Sequence, residues 1–214
     1  MEGKMEEFIT IKEDIQVEIT EKKSRFIANL FYVENIAQAE NIIKETRKKY
    51  YDARHNCIAY RIMDDGKLIE RSNDDGEPSG TAGAPMLNIL QKNELVNVLI
   101  IVTRYFGGVL LGTGGLVRAY SSSLVKAIDN SIKVKKCLGE ELEIIVDYNN
   151  FDKFKYYCKN NDINIVNTEY EDNIICIIEV SNIKKDKLID DFNNKKIILK
   201  NIKDKSIKFI TKSI

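Results

Sequence analysis

The sequence predicts an α+β protein built from two domains, and three observations predict it. Lys plus Arg and Asp plus Glu balance at 33 each, yet residues 1–139 hold 20 basic and 19 acidic side chains, residues 140–182 hold 3 and 10, and residues 183–214 hold 10 and 4. All eleven glycines lie at or before Gly139. Apolar alternation of period two and apolar faces of period 3.6 interleave along the whole chain, the pattern of strands mixed with helices. The junction falls around Lys135 to Glu141, giving domains 1–138 and 139–214, each of ordinary domain size.

In the first domain, Ile15 to Ile19 and Arg25 to Leu30 alternate apolar and polar, which predicts a hairpin within Ile9 to Val33. Asn35 caps a predicted helix running to about Tyr50, with Ile36, Ala39, Ile42 and Ile43 on one face. Cys57 to Ile62 and Lys67 to Arg71 form a second hairpin around the turn signal Asp64-Asp65-Gly66. A helix from Pro85 to about Gln91 follows, because proline suits a first helical turn; Ser79 or Thr81 is placed to cap it. Val96 to Phe106 is the most apolar stretch and predicts a central strand. Leu116 to Ile132 reads as a helix with Leu116, Ala119, Tyr120, Leu124 and Ile128 inward. In the second domain the order is strand 141–147, helix 150–160, strand 163–169, strand 174–180, helix 184–193, and strands 196–202 and 206–211, close to a split β-α-β-β-α-β unit.

Composition excludes several function classes. No apolar run is long enough for a membrane span, and the charged first 25 residues predict no signal peptide, which points to the cytoplasm. Zero net charge provides no global field toward nucleic acid, so a basic site has to be local. The chain has one histidine, His55, and its cysteines Cys57, Cys137, Cys158 and Cys176 never form C-x-x-C, so neither a protein-only zinc site nor any other metal site is assigned. No cofactor is assigned either.

Two segments can carry function. Residues 72–85 pack Asp74, Asp75, Glu77, three glycines, both prolines and three hydroxyls into fourteen positions. The carboxylates could hold Mg²⁺ or move a proton, or they could simply form turns; the residue types leave both open. The second segment runs from Thr103 to Tyr120, with glycines at 107, 108, 112, 114 and 115, between a buried strand and a helix. Such a loop presents backbone N–H groups and the positive end of a helix dipole to an anion. Gly107 to Gly112 has Walker A spacing but lacks its lysine, and Val117 stands where a dinucleotide fingerprint needs its third glycine. Arg104 and Arg118 flank the loop, so phosphate or nucleic-acid binding is assigned to Arg104, Gly107, Gly108, Gly112, Gly114, Gly115 and Arg118; close backbone packing is the competing account of the glycines. Tyr105, Phe106 and Tyr120 are candidates for base stacking. His55 and Cys57 share one strand face, a possible nucleophilic pair or an ordinary structural one.

The segments Asp74-Asp75-Gly76-Glu77-Pro78-Ser79-Gly80-Thr81-Ala82-Gly83, Arg104-Tyr105-Phe106-Gly107-Gly108 and Leu111 to Tyr120, with His55-Asn56-Cys57-Ile58-Ala59-Tyr60, resemble the IMPACT family in its bacterial YigZ-type form, over the core of residues 20–135. The resemblance implies an N-terminal left-handed βαβ domain like the second domain of a small-subunit ribosomal protein, and a ferredoxin-like C-terminal domain similar to elongation factor G modules. It implies eukaryotic relatives that regulate translation and carry an RWD domain not found here, so kinase regulation is not carried over. The expected function is a translation-associated, non-enzymatic module that binds RNA, the ribosome or a translation factor through the Arg-flanked glycine loop. The rival is an enzyme acting on a phosphorylated or nucleotide-like small molecule between the two loops, with His55, Asp75 and Glu77 in catalysis and Arg104 on phosphate.

Overall fold

In the computed structural model, which describes residues 7–211, the first compact unit ends at Val134 and the second starts at Lys135. The first contains β1 (Glu7–Ile11), β2 (Ile15–Glu21), β3 (Ser24–Tyr32), α1 (Ile36–Lys49), β4 (His55–Asp64), β5 (Lys67–Asn73), α2 (Gly83–Lys92), β6 (Val98–Tyr105) and α3 (Thr113–Asp129). Five strands make a sheet in the order β2-β3-β6-β4-β5, every neighbouring pair antiparallel. Both faces are covered. Val98, Ile100 and Val102 of β6 face a core with Met86 and Leu90 of α2 and Leu116, Tyr120 and Leu124 of α3. Leu99 and Ile101 face Ala39 and Ile42 of α1. A central strand buried on both sides has no polar face to show, which is why Val98 to Val102 reads as a continuous apolar run.

The β4–β5 hairpin turns through Asp65 (φ 46) and Gly66 (φ 76), the paired left-handed residues that match the right-handed twist of the strands. Asn35 caps α1 by accepting from the Gln38 N–H at 2.8 Å.

The second unit takes most of β7 (Lys133–Val146), then α4 (Tyr148–Asn160), β8 (Asn164–Tyr170), β9 (Ile174–Ser181), α5 (Asn182–Asn193) and β10 (Asn201–Thr211). Its strands pair antiparallel in the order β10-β7-β9-β8. Leu142, Ile144 and Val146 take the inward positions of β7, with Glu141, Glu143 and Ile145 between and before them, and bury against Phe151, Phe154 and Leu188 of the two helices. Cys158 and Cys176 belong to this core, and all four cysteines are buried. Burial pushes the Cys158 thiol up to about 12.

Several boundaries differ from expectation. β10 is one strand with an irregularity between Asp204 and Ser206; residues 196–200 form a loop that inserts Ile197 and Leu199 into the core, so their apolarity comes from plugging rather than pairing. β7 starts at Lys133, earlier than its alternation suggests, because its first residues are mostly lysines. α3 starts at Thr113, three residues before Leu116, because Gly114 and Gly115 sit inside its first turn. α2 starts at Gly83, and its cap is neither Ser79 nor Thr81.

Candidate functional site

The acidic loop between β5 and α2 is held by its own carboxylates. Asp74 Oδ1 accepts from the N–H groups of Ala82 (3.0 Å) and Gly83 (2.8 Å), and its Oδ2 from Gly80 N–H (2.8 Å). It therefore serves as the missing cap of α2, from eight and nine residues upstream. Asp75 accepts from Asn56 N–H at 2.7 Å and from Arg47 of α1 at 2.8 Å. Burial raises the Asp74 carboxyl, but its three N–H donors outweigh burial and hold it below the ordinary carboxylate value. A carboxyl depressed in the folded state contributes stability above its unfolded value, about 3.9, and that contribution disappears as pH falls through the folded value. Asp74→Ala is expected to cost about 1–2 kcal/mol at neutral pH. Urea titrations should show this cost shrinking below about pH 4; an equal cost at both pH values would show that the ionised carboxylate is not the cap.

Glu77 lies deeper. Its Oε1 accepts from Arg104 Nη1 at 2.6 Å and from the Tyr120 hydroxyl at 2.9 Å. The two side chains of this ion pair are 3% and 8% exposed. The Arg104 guanidinium lies 5.5 Å from the Phe26 ring and 5.6 Å from the Phe106 ring, and its Nη2 reaches Ser24 Oγ at 3.5 Å. Ser24 Oγ also accepts from Gly107 N–H at 3.2 Å. Glu77, Arg104, Ser24 and Gly107 thus form one chain of contacts joining the acidic loop to the glycine loop. Arg104 is consumed inside it, aimed at Glu77 rather than outward, and its Nε has no hydrogen-bond partner.

Tyr120 is fully buried, edge-on to Phe26 at 5.2 Å, which corrects its candidacy for base stacking: no base reaches a ring inside the core. Tyr105 is half-buried and its hydroxyl donates to Asp52 at 2.7 Å. His55 Nδ1 lies 2.8 Å from the Asp75 carbonyl oxygen. Cys57 Sγ donates to the Asp74 carbonyl at 2.9 Å and contacts the Tyr120 hydroxyl at 3.3 Å. Burial, aided by the neighbouring carboxylates, pushes its thiol up to about 12, so it supplies no thiolate at neutral pH. His55 and Cys57 share a face but bond separately to the acidic loop's backbone. Among the described residues no group of three or more His, Cys, Asp or Glu could hold a metal ion.

The glycine loop stands out from this interior. Phe106, Val109 and Leu110 are 51%, 40% and 83% exposed. Gly108, Gly112, Gly114 and Arg118 are exposed too, while Gly115 lies half-buried with its Cα toward Leu111. Gly108 (φ 83) and Gly112 (φ 72) take left-handed backbone that favours glycine. Gly107 packs against the β2–β3 turn, whose Lys22 (φ 44) and Lys23 (φ 67) are exposed beside the loop. These two lysines and Ser24 join the site without a sequence signal, since nothing in the pair Lys22-Lys23 announces a left-handed turn. Arg118 lies one turn into α3, and a Cβ at Gly114 would sit 3.9 Å from its Nη1.

Comparison with known proteins bears on the same residues. The Impact N-terminal domain model matches residues 22–128, and that of a domain of unknown function, DUF1949, matches residues 144–195. IMPACT family member YvyE of Bacillus subtilis (strain 168) is 37% identical over 167 residues, covering 78% of this chain and 76% of its own. IMPACT family member YigZ of Escherichia coli (strain K12) is 34% identical over 165 residues, covering 76% and 78%. A crystal structure described as that of a hypothetical protein aligns with a TM-score of 0.62 at 30% identity, covering 91% of this chain and 97% of that one.

Proposed function

This chain belongs to the IMPACT family, and from that premise we propose that it is a non-enzymatic, translation-associated module, working in the cytoplasm, that binds RNA or the ribosome through its exposed glycine loop. One observation carries the reading: the Glu77–Arg104 pair is buried, whereas the loop it supports stands in solvent with Arg118 at its end. In this account Arg104 is a positioning residue. Arg118, Lys22 and Lys23 meet phosphates, the first N–H groups of α3 add donors, and Phe106 stacks on a base. Regulation of translation, which the family resemblance implies for the eukaryotic relatives, guides the choice of partner. An enzyme would need His55, Asp75 and Glu77 turned toward a common substrate, and each instead has its own partner inside the domain: His55 the Asp75 carbonyl, Asp75 the Asn56 N–H and Arg47, Glu77 the Arg104 guanidinium and the Tyr120 hydroxyl.

Fluorescence titration of labelled single-stranded RNA at two salt concentrations tests the proposal. Affinity is expected to fall steeply with salt. Arg118→Ala is expected to weaken binding about tenfold, the worth of one charge-assisted contact. Salt-independent binding, or an Arg118→Ala variant that binds like the parent, would assign recognition elsewhere. A second reading is favoured by the exposure of Leu110 beside Val109 and Phe106. An apolar tip suits a protein partner such as a translation factor; Leu110→Asp would then abolish binding while salt had little effect.

A further inference from the structure

On the opposite face of the first sheet, α1 and the strands β2 and β3 enclose a cleft of about 530 Å³, a volume typical of small-molecule sites. At its floor lies Asn29, only 5% exposed, whose Nδ2 has no hydrogen-bond partner. A buried amide donor without an acceptor costs stability, so a protein that keeps one has something to gain from it. Gln16 is the direct cross-strand neighbour of Asn29, and Asn41 of α1 contributes a third carboxamide to the lining. Phe31 and Tyr50 add flat aromatic walls, and Ile42 an apolar one.

Carboxamides present a donor and an acceptor side by side, the complement of a nucleobase edge, and aromatic walls suit a planar ring. The charged lining residues are Asp14, Glu45 and Lys49, a net negative set that disfavours a phosphate. We propose that this cleft binds an uncharged nitrogen heterocycle of the nucleobase type, as a free nucleoside. The site is distinct from the glycine loop and does not rest on its assigned role: Asn29 points to the α1 side, while Phe26 and Arg104 are on the α3 side of the same sheet.

Calorimetry and thermal melting of the full chain with adenosine, guanosine, cytidine and uridine test this directly. At least one nucleoside is expected to bind saturably and raise Tm, with its 5′-monophosphate binding more weakly. Asn29→Leu is expected to weaken that binding by about tenfold or more, yet to raise the unliganded Tm by about 2–4 °C, because it removes an unsatisfied donor. Gln16→Ala, on the exposed wall, is expected to weaken binding with Tm unchanged. The proposal is overturned if no nucleoside binds at millimolar concentration, if binding survives both substitutions, or if the monophosphate or a short RNA strand binds as tightly as the nucleoside. A fall in unliganded Tm on Asn29→Leu would also overturn it, by showing the amide to be satisfied by water alone.

Discussion

Glu77→Ala is expected to lower the stability of the first unit by about 3–5 kcal/mol, the cost of stranding one member of a buried ion pair. Arg104 would keep its charge at 6% exposure, with no carboxylate beside it and with its Nε already unpartnered. Against a typical total of about 5–15 kcal/mol, a loss of that size leaves the domain marginal. The nearby rings of Phe26 and Phe106 do not compensate, because cation–π contacts are worth about 0.5–2 kcal/mol. Replacing both partners together, as in Glu77→Leu with Arg104→Met, is expected to recover most of the stability, since the burial penalty of both charges disappears. Chemical denaturation of the two variants decides it. A loss under about 1 kcal/mol in the single variant would contradict the buried pair. The same reasoning makes Arg104→Ala a poor probe of binding, because it would weaken any partner by loosening the loop.

Gly107→Ala is the second large effect expected. A Cβ there would lie 2.0 Å from the carbonyl carbon of Lys23 and 2.1 Å from its oxygen. Both are backbone atoms of a tight turn, so the loop or the hairpin has to move. Overpacking of this kind costs about 1–3 kcal/mol or more, and the movement separates Gly107 from Ser24, which anchors the loop. Gly108→Ala provides the control. Its Cβ meets nothing within 4 Å, and its cost is confined to the left-handed backbone, about 1–2 kcal/mol. Gly107→Ala is therefore expected to reduce partner binding by more than Gly108→Ala. Equal effects on binding would show that the contact with the β2–β3 turn does not shape the recognition surface.

How far such features could be read in the sequence follows from how local they are. The β4–β5 hairpin was legible because Asp65-Gly66 is a turn signal in itself, and β6 because double-sided burial leaves an unbroken apolar run. Both candidate loops also stood out in the sequence, from their density of glycine and carboxylates. The pairing of Arg104 with Glu77 was not, since it spans 27 residues and depends on β4 and β6 lying side by side. Asp74 as the cap of α2 was equally hidden, because a capping side chain is sought next to the helix, not eight residues away. Tyr120 fitted the inward face of a helix and an aromatic contact alike; only the packing on Phe26 decides between them. Asn29 gave no signal at all, a polar residue in an alternating strand being ordinary.

The central claim is that Arg118 and the exposed loop recognise the partner while Arg104 only holds the loop in place. Co-sedimentation with purified ribosomes at low and moderate salt tests it most directly, comparing the parent protein with Arg118→Glu. Salt-sensitive association of the parent and its loss in Arg118→Glu, with an unchanged melting temperature, is the predicted result. Association that Arg118→Glu leaves intact, or no association at either salt, would contradict the account.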